Sequence, residues 1–307
     1  MTKTEARNLK PITLPEDCNY FAVFLTLDCP LSCSYCINNH LEPARRRATL
    51  PVSEWLRAIN RVAPREDLPL TLQGGEPGIY PGFIELINGI RPDMHIDILT
   101  NLQFDLEEFI KNVNPDRLRR NAPYASIRVS YHPEQMDAVA LADDVARLQE
   151  KGYHIGIWAV THPAYMSQVK MMKELALARG IDFRTKEFLG FYNGKLYGTY
   201  RWKHACIGKP MGISVECRTT ELLVDPAGAV YRCHSDLYAA REPVGNLLNP
   251  EFVPEFKYRE CFCYGLCNPC DVKVKTNRFQ VFGHTSVNIR FQEEGVRSNE
   301  LQTDDRE

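Results

Sequence analysis

The sequence predicts an α/β protein: a partial (β/α)6 barrel, TIM-like in its strand–helix alternation, followed by a small cysteine-rich α+β unit. Three observations carry this. Apolar strand segments and helical segments alternate six times between residues 20 and 190, and the alternation stops near Asn193. Eleven cysteines are present, and seven of them fall in the last third. Three more crowd between Cys29 and Cys36, while Ile37 to Ala205 has none. Repeated strand–helix units favour parallel strands joined by right-handed crossovers, and six are too few to close a barrel of eight.

The first strand is expected over Phe21–Asp28, ending at the first cysteine group. A helix follows over Glu54–Val62, with Ser53 as its cap. Strand two is Leu68–Gln73, ending at Gly74-Gly75, and a helix covers Tyr80–Ile90. Strand three is His95–Asn101, followed by a helix over Leu106–Val113. Strand four, Ala125–Ser130, leads to a helix over Glu134–Lys151. Strand five, His154–Val160, leads to a helix over Ala164–Arg179 that stops at Gly180. Strand six is Ile181–Leu189. Beyond it, Leu222–Cys233 reads as a hairpin turning at Asp225-Pro226-Ala227-Gly228. Cys261–Cys270 is a knuckle-like run, and two short strands are expected within residues 278–291. The expected division is an N-terminal extension over 1–19, a core over 20–192, a cysteine-rich unit over 193–292 and a frayed tail over 293–307.

Composition narrows the function. Thirty-seven Lys and Arg stand against 39 Asp and Glu, a formal charge of −2. A general polyanion binder carries a basic face, so no nucleic-acid partner is expected. No apolar run approaches the roughly 20 residues that a bilayer needs, and the N-terminus lacks the apolar region of a secretory signal. The expectation is a cytoplasmic protein without a membrane partner. That compartment keeps thiols reduced, so the cysteines point to metal or cluster binding rather than disulfides.

In a (β/α) barrel the reactive face lies where strands hand over to helices. The distinctive residues gather there: the cysteine group, Gly74-Gly75-Glu76-Pro77, Asn101, His132-Pro133 and His162-Pro163. Cys29, Cys33 and Cys36 are spaced C-x3-C-x2-C, which lets one loop wrap a cubic iron–sulfur cluster. Three ligands for four irons leave one iron for a chelating small molecule. A zinc knuckle wants a fourth ligand, and His40 is the nearest candidate.

The C-x3-C-x2-C loop after strand one, Tyr35 before the third cysteine, and Gly74-Gly75-Glu76-Pro77 after strand two together resemble the radical S-adenosylmethionine superfamily. The resemblance covers roughly residues 20–190. It implies that Cys29, Cys33 and Cys36 hold a 4Fe–4S cluster whose fourth iron is chelated by S-adenosylmethionine. Reductive cleavage would then give a 5′-deoxyadenosyl radical that takes hydrogen from substrate. Under this resemblance Gly74 and Gly75 let backbone approach the methionine amino group, which Glu76 supports. Backbone near Tyr35 reads adenine, and Asn101 and Ser130 bond the ribose or carboxylate.

Cys217-x10-Gly228-x4-Cys233 with a later Gly245-Asn246 resembles the first half of the SPASM and twitch extensions, which hold auxiliary 4Fe–4S clusters. The hairpin is expected to bring Cys217 and Cys233 together on adjacent strands. The second half departs from SPASM. It runs Cys261-x-Cys263-x3-Cys267-x2-Cys270, with no later cysteine. One twitch-like cluster closed by Cys267 and Cys270 is the first choice. Cys261 and Cys263, with Cys206, are further candidate ligands for a second cluster. Taken individually, Cys18 and Cys206 read as buried structural thiols rather than ligands.

His132, His162, Arg184 and Lys186 are candidate substrate residues, since charge directed into a barrel needs a partner or a ligand. Arg45-Arg46-Arg47 is a solvated patch or a dock for an acidic electron donor such as flavodoxin or ferredoxin. Only 28 residues precede Cys29, so leader-dependent peptide modification is less favoured. The expected activity is radical oxidation or bond formation on a peptide or small metabolite, aided by the auxiliary cluster. The competing reading is a non-catalytic zinc-binding interaction module.

Overall fold

The structure is a computed structural model that describes residues 10–36, 38, 49–188, 190–197, 213–262 and 287–291. Its centre is a sheet whose first six strands run parallel: β1 (Tyr20–Phe24), β2 (Leu70–Gln73), β3 (Ile96–Thr100), β4 (Ile127–Tyr131), β5 (Ile155–Thr161) and β6 (Phe183–Glu187). All five residues of β1 are buried, the signature of a parallel strand covered on both faces. Phe21 and Val23 join one large apolar cluster with Leu70, Leu72 and the crossover helices. Tyr20, Ala22 and Phe24 face a smaller cluster with Leu223, Tyr231 and Leu237. The predicted α/β architecture and its strand order are therefore present.

The crossover helices are α1 (Val52–Ile59), α2 (Phe83–Gly89), α3 (Leu106–Asn112), α4 (Ala138–Glu150) and α5 (Met166–Ala178). Three boundaries differ from expectation. α1 is capped at Pro51, whose carbonyl accepts from Glu54 N and Trp55 N, so Ser53 lies inside the first turn. α4 begins only after Asp137, whose carboxylate accepts from Ala140 N at 2.8 Å. Residues 132–136 instead form a turn in which Gln135 N and Met136 N donate to His132 O. α5 is preceded by a 3-10 turn, Pro163–Tyr165, capped by the His162 side chain. Gly180 ends α5 with φ +69°, as expected of a C-terminal glycine.

The sheet does not stop at residue 192. β10 (Glu221–Val224) pairs in parallel with β1, and β11 (Ala229–Tyr231) and β12 (Gly245–Asn246) extend it antiparallel. The order is β12-β11-β10-β1-β2-β3-β4-β5-β6. The hairpin turn is as read: Gly228 N donates to Asp225 O at 2.9 Å, and Gly228 has φ +81°. α6 (His234–Ala239) follows β11. Two smaller sheets stand apart: a hairpin of β7 (Gly190–Tyr192) and β8 (Lys195–Tyr197), and β13 (Arg259–Cys261)-β9 (Val215–Thr219)-β14 (Val287–Phe291). Of the two strands expected within 278–291, β14 is described and residues 278–286 lie outside the described residues.

A buried ionic group sits toward the N-terminal strand ends. Asp97 accepts from Arg120 Nε at 2.7 Å and Nη2 at 2.9 Å, from Arg128 Nη2 at 3.2 Å and from Tyr124 Oη at 3.4 Å. Asp97 is 1% exposed, and both arginines are buried. Removing one partner of such a group leaves charge uncompensated at a cost of about 3–5 kcal/mol. Asp97→Ala is expected to lose stability of that order in urea unfolding. Asp97→Asn, which keeps an acceptor oxygen, is expected to lose less.

Candidate active site

The cysteine loop leaves β1 at Leu25 and is held by backbone pairing that outlasts the strand. Leu25 N donates to Gln73 O, Gly75 N to Thr26 O and Glu76 N to Asp28 O, each at 2.9 Å. A Cβ on Gly74 would lie 1.9 Å from Thr26 O, and one on Gly75 would lie 2.0 Å from Asp28 O. Gly74 also has φ +155°. The glycine requirement thus arises within the chain, from the close approach of two loops. Approach to a methionine amino group is not needed to account for it.

Within the loop, Asp28 Oδ1 accepts from Cys29 N at 3.1 Å, Cys29 Sγ accepts from Leu31 N at 3.4 Å, and Cys33 O accepts from Cys36 N at 3.0 Å. Cys33 is buried, and Cys29 and Cys36 are half-buried. Burial raises the Cys29 thiol. It pushes Cys33 up to about 11, with the charges of Cys36 and Cys29 acting in the same direction. Thiols held protonated by burial, as at Cys29 and Cys33, need a cationic partner to become thiolates.

Glu76 is fully buried and satisfied by three donors. Oε1 accepts from Gly78 N at 2.8 Å and Thr100 Oγ1 at 2.7 Å, and Oε2 accepts from Asn101 N at 2.6 Å. The carboxylate therefore ties the loop after β2 to the end of β3. Asn101 in turn donates from Nδ2 to Cys29 Sγ at 3.3 Å, while its Oδ1 accepts from Gln103 N at 3.0 Å. Asn101 is both a turn residue and a hydrogen-bond donor to a thiol of the cysteine loop, a contact that its position at the end of strand three did not announce.

The other side of the loop is clamped from β4 and β5. Tyr35 Oη lies 3.1 Å from His132 Nδ1, and its ring stacks on His162 at 5.4 Å. Ser34 N donates to Glu134 Oε2 at 2.7 Å, and Ser32 N to Gln135 Oε1 at 3.4 Å. Burial lowers both His132 and His162, and His162 Nδ1 accepts from Ala164 N at 3.2 Å. His162 also meets Phe188 at 4.3 Å and Tyr192 at 4.9 Å. The two histidines thus brace the cysteine loop. Glu134 and Gln135 were missed as site residues because they read as the first turn of a helix. The signal was the Asp137 cap, which leaves the five residues after Tyr131 outside the helix, Glu134 and Gln135 among them.

Ser130 lies on β4 in register with Trp158. Arg184 is already engaged: Nε bonds Asp182 Oδ2 at 2.9 Å, Nη2 donates to Pro123 O, and the guanidinium lies over Trp158. Its charge needs no ligand. Lys186 is exposed at the far end of the same strand.

The second cysteine group is arranged differently from expectation. Cys217 is on β9, whose neighbours are β13 and β14, while Cys233 follows β11 and caps α6 with a 3.4 Å bond from Asp236 N. The two are not on paired strands, because Thr219 and Glu221 belong to different sheets. Cys261 on β13 shares a buried cluster with Cys217. Cys206, Cys263, Cys267, Cys270, His40 and Arg45-Arg46-Arg47 lie outside the described residues. Among the described residues no three His, Cys, Asp or Glu side chains converge on a single metal ion. A cubic cluster makes a different demand, with thiolates at separate corners, and a loop carrying three thiols fits it. No helix among the described residues is long and apolar enough to cross a membrane.

Residues 23–129 match the Radical SAM superfamily. The PqqA peptide cyclase of Gluconobacter oxydans is 34% identical over 91 residues, 30% of this chain and 24% of that protein. The PqqA peptide cyclase of Granulibacter bethesdensis is 29% identical over 165 residues, 51% of this chain and 43% of that protein. The chain thus spans under half the length of either relative. Among solved structures, Streptococcus suis SuiB bound to precursor peptide SuiA aligns at TM-score 0.50 and 14% identity, covering 81% of this chain and 65% of that one. anSMEcpe with bound AdoMet and Kp18Cys peptide aligns at TM-score 0.51 and 14% identity, covering 78% of each. At such identity these likenesses concern the fold.

Burial pushes the Glu76 carboxyl up to about 7, against three donors that favour its ionised form. The folded chain thus holds this proton more tightly than the unfolded chain. The associated stability is full below about pH 4.5, the ordinary value, and is lost as pH rises to about 7. The shift corresponds to about 3 kcal/mol. Urea midpoints followed from acid to neutral pH are expected to carry this downward component in the wild type and to lack it in Glu76→Gln.

Proposed function

We propose, on the premise that this chain carries a radical S-adenosylmethionine domain and is an enzyme of that superfamily, that it modifies a peptide by radical chemistry. The single observation that carries the reading is the cysteine loop, with three cysteines on one loop after β1 and Asn101 donating to Cys29. When bound, a 4Fe–4S cluster and S-adenosylmethionine supply a 5′-deoxyadenosyl radical that removes hydrogen from substrate, and an auxiliary cluster supplies a sink for a second electron.

The chain's own part is to hold and orient. Cys29, Cys33 and Cys36 would ligate the cluster. Glu76 is a positioning residue that acts through Asn101, and Tyr35 with His132 and His162 closes the loop's outer side. Gly74, Gly75, Asn101 and Ser130 line the strand ends where S-adenosylmethionine would sit. Cys217 and Cys233, with Cys267 and Cys270, would hold the auxiliary cluster. A flavodoxin or ferredoxin in the cytoplasm would deliver the first electron. A peptide is favoured over a small metabolite because two relatives bear the name PqqA peptide cyclase, and two proteins of like fold were captured with peptides.

Oxygen-free, reconstituted protein is expected to release 5′-deoxyadenosine from S-adenosylmethionine under dithionite, and Cys33→Ala is expected to release none. With a substrate peptide, mass spectrometry should register loss of two hydrogens. The same loss on a small metabolite, and none on any peptide, would move the substrate class.

A further inference from the structure

The first choice for the auxiliary cluster leaves Cys261 spare, and the structure puts it to use. On the β9–β13 pair, Cys217 stands opposite Arg259 and Cys261 opposite Val215. Directly opposed residues of an antiparallel pair share a face, as do residues two apart on one strand. Cys217 and Cys261 are therefore diagonal neighbours on one face. They are 4% and 8% exposed, in one cluster with Val215 and Val287 backed by Ile213 and Ile289.

Cys233 reaches this sheet through its neighbour. Thr219, the last residue of β9, donates from its hydroxyl to the carbonyl of Arg232. The Arg232 side chain lies within electrostatic reach of both Cys233 and Cys261. Its Nε bonds Asp236 Oδ2 at 2.6 Å, and Asp236 is also held by Arg241 Nε at 3.1 Å. Arg232 Nη1, however, is buried and has no hydrogen-bond partner among the described residues. A buried guanidinium N–H needs an acceptor, and thiolate or sulfide sulfur is one.

We propose that Cys217, Cys233 and Cys261 are three ligands of the auxiliary cluster and that Arg232 Nη1 donates a hydrogen bond to its sulfur, raising its potential. This rests on the auxiliary-cluster reading. Cys261 takes the place given to one of Cys267 and Cys270. Each ligand thiol gives up its proton on binding. A hydrogen bond to sulfur favours the more negative, reduced cluster.

The test isolates this cluster in the full-length chain by replacing Cys29, Cys33 and Cys36 together with alanine. After anaerobic reconstitution with iron and sulfide, that variant is expected to keep about four irons and a reducible, EPR-active centre. If it holds no iron, the auxiliary-cluster reading itself fails. If it holds iron, adding Cys261→Ser is expected to remove the iron, or to change the EPR spectrum, with circular dichroism unchanged. Full iron and an identical spectrum would overturn the ligand assignment and leave the reading intact. Arg232→Met keeps Asp236 paired through Arg241, so folding is retained. It is expected to keep the iron and lower the midpoint potential, and an unchanged potential would overturn the role of Arg232.

Discussion

Two backbone hydrogen bonds, from Gly75 to Thr26 and from Glu76 to Asp28, locate the rest of the site. They exist only because positions 74 and 75 lack a Cβ. Once the two loops meet, Glu76 is carried under the end of β3, where Thr100 and Asn101 donate to it. Asn101 then reaches back to Cys29. The path runs from β1 to β2 to β3 and returns to β1, so the cysteine loop is fixed on one side by a closed circuit of hydrogen bonds. Such preorganisation would favour binding of a cluster at defined corners, because each loop residue ordered beforehand spares about 1–2 kcal/mol of entropy on binding.

The opposite side of the loop is fixed by different chemistry. Tyr35 packs among His132, His162 and Tyr165, and the Ser32 and Ser34 amides are taken by Gln135 and Glu134. All of these partners come from loops at the C-terminal ends of β4 and β5. A rigid parallel sheet presenting loops at one end is how (β/α) folds carry chemistry. The opposite end of the sheet carries a structural group instead, with Asp97 joining Arg120 and Arg128. The two ends divide the work between chemistry and stability.

The C-terminal segment is not a pendant attached by a linker. β10 lies beside β1 in parallel, so the strand that launches the cysteine loop is flanked on one side by β2 and on the other by a strand 201 residues further along the chain. Tyr20, Ala22 and Phe24 pack against Leu223, Tyr231 and Leu237. Shared packing across β1 couples the hairpin that leads to Cys233 with the strand that leads to Cys29. Cys217 and Cys261 belong to a neighbouring sheet and approach the hairpin through the Thr219 to Arg232 bond.

Much of this was readable in residue order. Strand–helix alternation, the glycine stop at Gly180, the turn at Gly228 and the C-x3-C-x2-C loop are local patterns, and local patterns depend on near neighbours. The site residues that escaped reading were those defined by partners far along the chain. Glu134 reads as a helix start until its oxygen is found on Ser34, 100 residues away. Arg184 reads as a charge awaiting a ligand until Pro123 O, 61 residues away, is found beside it. Cys217 reads as the hairpin partner of Cys233 until β9 is seen to pair with β13. Residue types and short spacings settle which chemistry a chain can perform. Which side chains meet depends on sheet register, and register is a contest among distant strands that no short stretch of sequence contains.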